Sequence, residues 1–149
     1  MKDQSKIAST IDDLIETLKD GEEGFKRAAE GVKDSQLKSL FAEYSRQRSR
    51  FATDLQSRVQ NLGKKPETKS SAAGALHRGW INLKSALTGG DDHAILAECE
   101  RGEDSAVKEY KKAMDDDLSQ PLQDLVARQF TDIQAAHDRI RNLRDTRKS

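Results

Sequence analysis

The chain has 149 residues, 35% charged and 34% hydrophobic, with 26 lysines and arginines against 26 aspartates and glutamates. That length suits one domain, 1–149, around one core, and zero net charge argues against a nucleic-acid binder, which carries a basic excess. A single cysteine, Cys99, excludes an intramolecular disulfide framework and suits a reducing cytoplasm.

The low apolar fraction fits narrow helical seams better than a wide core. Met1 to Ser5 leads straight into an amphipathic pattern without an apolar leader, and no apolar run reaches membrane length. A cytoplasmic protein without a membrane partner is expected.

The first long helix should start near Asp3 or Ser5. Its seam is Ile7, Ile11, Leu14, Leu18, Gly21, Phe25, Ala28 and Val32. The steps alternate between four and three, a heptad signal. Gly31 and the turn Lys33-Asp34-Ser35 end it, and Asp34 or Ser35 caps the next helix.

The second runs from about Gln36 to Leu62, with seam residues Leu37, Phe41, Tyr44, Arg48, Phe51, Leu55, Arg58 and Leu62. The short turn predicts antiparallel packing of this pair. Residues 63–90 then form a connection of about 28 residues, far longer than a helix–helix turn. It holds a short amphipathic helix, Leu76, Trp80, Leu83 and Leu87, stopped by Thr88-Gly89-Gly90. A crossover of this length brings the third helix in parallel to the second, with the Trp80 helix packed across the bundle surface or one end. An exposed docking face is the alternative role for Trp80.

The third long helix starts at Asp91 or Asp92 and reaches about Asp117. The fourth begins at Ser119 and Pro121 and uses Leu122, Val126, Gln129, Ile133, Ala136, Ile140 and Leu143. The basic tail, 141–149, is predicted to fray.

One stripe of the third helix carries a glutamate: Leu96, Cys99, Glu103, Ala106, Tyr110. A carboxylate in a core seam needs a metal, an arginine or a hydrogen-bond network. Residues equidistant from a turn share a height in an antiparallel hairpin. Glu22 and Arg46 lie equally far from Asp34, and Glu103 and Gln134 equally far from the turn at Leu118 and Ser119. His137 is one turn further on. Both hairpins therefore interrupt their seams at a matched level.

This plan resembles the ferritin-like superfamily. It implies an all-α fold, a ferritin-like four-helix bundle with one long crossover containing a short helix between helices 2 and 3. The superfamily's metal-binding members carry a glutamate on each of two helices and Glu-x-x-His on each of the other two, binding two irons or manganeses. By position, the resemblance offers Glu22 or Glu23 on the first helix and Glu43 on the second, with Arg46 in the histidine's place. It offers Glu100 or Glu103 on the third and His137 on the fourth, with Gln134 in the glutamate's place. More narrowly, the chain resembles a group of small bacterial ferritin-like proteins of unknown function, some linked to stress responses.

An arginine cannot ligate, but it can replace a metal's charge by pairing with glutamate. The expectation is a metal-free buried network of Arg46, Gln134 and Glu103, with no cofactor. The alternative is one iron, manganese or zinc ion on Glu103, His137 and a first-helix glutamate. Cys99 reads as a small buried hydrophobe, and His77 and His93 as exposed. The expected function is a non-catalytic, stress-associated bundle acting as a homo-oligomer or with a protein partner. A metal-binding redox or iron-handling protein and a DNA-associated stress protein are the alternatives.

Overall fold

The computed structural model describes residues 4–61, 80, 82–89, 91–116 and 118–146, and among them it is all α-helix. The elements are α1 (Gln4–Gly31), α2 (Ser35–Asn61), α3 (Leu83–Gly89), α4 (Asp92–Asp115) and α5 (Gln120–Thr146). None of these helices is long and apolar enough to cross a membrane.

Side-chain caps fix the helix starts. Asp34 Oδ1 accepts from the backbone N–H of Gln36 and Leu37 at 2.8 and 3.2 Å, opening α2. Asp91 accepts from His93 N at 2.9 Å, opening α4. Asp92 then reaches the α1–α2 turn, accepting from Lys33 N at 2.8 Å and Asp34 N at 3.0 Å. The start of α4 is thereby tied to the end where α2 starts, so α4 runs parallel to α2 and antiparallel to α1. At the other end Thr10 Oγ1 donates to Asp116 Oδ2 at 2.8 Å. Around the bundle α1 packs on α2 and α4, and α4 on α5, while α2 and α5 meet only lightly. α2 and α4 therefore face each other across the diagonal.

The core has two apolar halves. One gathers Ile7, Leu14, Leu18, Leu55, Val59, Tyr110, Val126 and Ile133; the other gathers Phe25, Phe41, Trp80, Leu83, Leu96, Cys99 and Ile140. Each heptad seam contributes to both, and the polar level lies between them.

Residues 62–79 lie outside the described residues, as do Leu76 and His77. Trp80 precedes the short helix, whose first turn starts with Leu83 N donating to Trp80 O at 3.1 Å. Its ring is 2% exposed, so it packs on its own bundle and offers no docking face. It stands edge-on to Phe25, with centroids 5.1 Å apart. Gly24 on α1 and Gly102 on α4 make room for it, since a Cβ at either would overlap the indole. Glu98 Oε2 accepts from Asn82 N at 2.7 Å and anchors this segment to α4.

Three local expectations change. Trp80, expected within the short helix, lies ahead of its start at Leu83. α5 continues to Thr146, because Ile140 is buried and the half-buried Leu143 joins the Phe25–Trp80 half of the core. His93 is half-buried at the α4 start instead of exposed.

The glycine that receives Trp80 supplies a test. Gly102→Ala gains up to about 1 kcal/mol of helix propensity but forces a methyl into the indole, so the net expected change is a loss of about 1–3 kcal/mol. Urea unfolding measures it, and an unchanged midpoint would contradict the packing described.

Candidate functional site

At mid-height the diagonal is bridged by Arg48 of α2 and Glu103 of α4. Arg48 Nη2 donates to Glu103 Oε2 at 2.8 Å and Nη1 donates to Oε1, a two-pronged pair whose side chains are each 1% exposed. Gly21 on α1 leaves space beside the arginine stem. The guanidinium carbon lies 5.3 Å from the Phe25 ring centroid, a cation–π contact. Arg48 Nε donates to Gln47 Oε1 at 3.2 Å. Burial disfavours the arginine's charge, but the Glu103 carboxylate and its hydrogen bonds outweigh that, so the pKa of Arg48 is raised.

A second polar link lies near this level. Tyr110 Oη donates to Gln129 Oε1 at 2.8 Å, and Gln129 Nε2 donates to the Phe51 carbonyl at 3.3 Å. Burial raises the Tyr110 pKa well above its ordinary value; Arg48 opposes this and Glu103 adds to it. Ser45 Oγ donates to the Glu22 carbonyl at 2.8 Å. Cys99 is fully buried. Desolvation, then the charges of Glu103 and Glu98, push its thiol pKa well up, so it is no nucleophile.

The residues expected at this level are partly elsewhere. Arg46 is exposed, and Arg48 holds Glu103 in its place. Arg46 lies about half a turn of azimuth from the seam that carries Tyr44, Arg48 and Phe51. Helical side chains also lean toward the N-terminus, so Arg48 covers a level below its own Cα. Gln134 is half-buried and donates to Asp138 Oδ1 on its own helix at 3.1 Å; the buried amide is Gln129. Glu22 is half-buried, Glu23 pairs with Arg27 at 3.0 Å, and Glu43 is exposed.

Glu100 and His137 do come together, not with Glu103 but with Asp104. One ligand atom from each of Glu100, Asp104 and His137 lies within 4.8 Å of the others, on the seam between α4 and α5. His137 Nε2 is 2.5 Å from Asp104 Oδ1, and its Nδ1 is 3.1 Å from Asp138 Oδ1. Asp138 is held below the ordinary carboxylate range, first by the hydrogen bond with His137. Slight burial opposes this, while Gln134 and Arg141 add to it. Arg144 Nη1 contacts Glu100 Oε2 as an ion pair outside hydrogen-bond geometry. Arg144 also pairs with Asp145 at 2.8 Å, and Arg141 lies 3.7 Å from Asp138. The described basic residues of the tail thus stand beside acids. Asp104 and Asp138 were missed from sequence. The available signal was the one-turn spacing of Glu100 and Asp104 on α4.

This is the architecture of a ferritin-like four-helix bundle. The fold is similar to that of a mutant of Mycobacterium smegmatis Dps1, with a TM-score of 0.75 and 17% identity, covering 95% of this chain and 98% of that one. Residues 6–116 match the family described as a domain of unknown function, DUF2383, and the chain belongs to it. No curated protein matches it in sequence.

A mid-bundle pair of metals, as the fold suggests, does not fit these side chains. Both Glu103 oxygens face Arg48, the guanidinium fills the diagonal, and among the described residues none of Glu22, Glu23 and Glu43 joins a group of three possible ligands. Arg48→Met is expected to cost about 3–5 kcal/mol by leaving Glu103 buried and unpaired, with much of that recovered in Arg48→Met/Glu103→Leu. Chemical denaturation of the two variants and wild type reads this. In a separate measurement, Cys99 should resist a thiol-specific reagent in native protein and react on unfolding; prompt native reaction would contradict its burial.

Proposed function

We propose that this chain is a non-catalytic ferritin-like protein of a bacterial stress response. It works in the cytoplasm and acts by associating with copies of itself or with a protein partner. The observation that carries this reading is the Arg48–Glu103 pair. At the level where a redox centre of this fold would need free carboxylates, the charge is already balanced within the chain, and both glutamate oxygens are engaged. The stress and cytoplasmic elements rest on the resemblance to small bacterial ferritin-like proteins and on the lone buried Cys99.

Association has a candidate surface. α2 and α5 leave an open groove lined by Phe51, Leu125 and Gln129, with Asp54 and Arg58 along one wall and Arg128 and Asp132 along the other. Each wall carries an acid and a base one helical turn apart, so two copies facing each other across a two-fold axis can pair opposite charges.

Size-exclusion chromatography with light scattering tests the proposal. A dimer or larger species is expected, and Arg128→Glu, an exposed change that spares the core, should shift it toward monomer. A wild-type protein that stays strictly monomeric at all concentrations, and captures no partner, would overturn the reading.

A further inference from the structure

We infer that Glu100, Asp104 and His137 form a binding site for one divalent first-row transition-metal ion, outside the bundle centre, with Arg144 occupying Glu100 when the ion is absent. This inference is independent of the association proposal.

Three features support it. The first is the donor set: one imidazole and two carboxylates, each with a ligand atom within 4.8 Å of the others, suit manganese, ferrous iron or zinc. The second is the outer support of the histidine. Asp138 lies 3.1 Å from Nδ1 and is itself held by Gln134 at 3.1 Å and approached by Arg141 at 3.7 Å. An N–H on Nδ1 donating to Asp138 leaves the Nε2 lone pair for the ligand side. That carboxylate–histidine arrangement orients metal-binding imidazoles. The third is the cation already present. Glu100 is almost buried, with its Oε2 against the Arg144 guanidinium, so the pocket draws positive charge.

The site is closed on the helix side by Glu100 and His137 and open on the other, where Asp104 is 53% exposed. Water can fill the remaining coordination positions. Binding requires Arg144 to swing off Glu100 toward Asp145, which it already contacts at 2.8 Å, and a neutral His137 Nε2 to turn from Asp104 to the ion. No redox step is involved.

Manganese(II) alone is the probe, titrated into the full chain and followed by electron paramagnetic resonance of the free ion, with helicity checked by circular dichroism. One equivalent should bind. His137→Ala and Asp104→Asn should each weaken binding by at least about tenfold, and Asp138→Asn by about 10–100-fold through the outer support. Arg144→Gln should tighten it. Glu22→Gln/Glu43→Gln, which alters the positions offered by a bundle-centre site, should leave it unchanged. Binding seen only in Arg144→Gln would still support the inference, since it identifies the arginine as the competitor. Absence of binding in both wild type and Arg144→Gln would overturn it. So would binding of undiminished affinity in His137→Ala, or binding that disappears in Glu22→Gln/Glu43→Gln.

Discussion

A guanidinium and a carboxylate buried between two apolar half-cores are costly to desolvate. Their attraction offsets that cost only when the two-pronged geometry is met. Arg48 and Glu103 meet it across the bundle diagonal, on helices that do not otherwise pack together. Several other features follow from this. Gly21 is small where the arginine crosses, and Phe25 presents its ring to the guanidinium. Heptad seams alone tolerate sliding by a turn, because one leucine replaces another. A slide here would leave both charges dry and unpaired, so the pair holds α2 and α4 in register.

The Trp80 segment belongs to the same arrangement. The α4 start lies at the starting end of α2, and Trp80 ahead of it packs against both α1 and α4. Trp80 wedges between Gly24 and Gly102, each within a turn of a residue that frames the buried pair. The Glu98 carboxylate and Asp92 then fasten the crossover and the α4 start to their neighbours through backbone N–H groups. Small residues on α1 and α4 are therefore needed for the indole, whereas Gly21 only borders the arginine stem at ordinary contact distance.

α4 also shows how one helix separates two kinds of acid. Glu103 faces the dry diagonal and is neutralised by an arginine that nothing in the bundle can readily displace. Glu100 and Asp104, on the adjacent stripe, face α5 and the solvent edge, where their partners are a histidine and an arginine with a second acid to retreat to. The first environment suits structure. In the second, each acid has a partner that itself has another acid within reach.

Helix number, the boundaries of the four long helices within a few residues, the antiparallel hairpins and a short helix between the second and third long helices were legible in the sequence. They depend on local spacing and capping: seams stepping by three and four, Asp34 and Asp91 at helix starts, and a connection too long for a turn. The presence of a polar level was legible too, since Glu103 interrupts an apolar stripe. The seam of the second helix also carries the side chain that answers it, Arg48, but the count from the turn passed over it. Counting residues from a turn assigns height but not azimuth, so it selected Arg46, which faces solvent, over Arg48, which leans back to the same height on the buried face. Gln134 and Gln129 divide in the same way. The grouping of Glu100 and Asp104 with His137 depends on how α4 and α5 rotate against each other, and the reach of Arg144 depends on α5 continuing past Leu143. Local spacing determined the elements of this protein and the seam each turns inward, Arg48 and Gln129 included; the rotation of α4 against α5, set by their packing, decided which charges meet at the solvent edge.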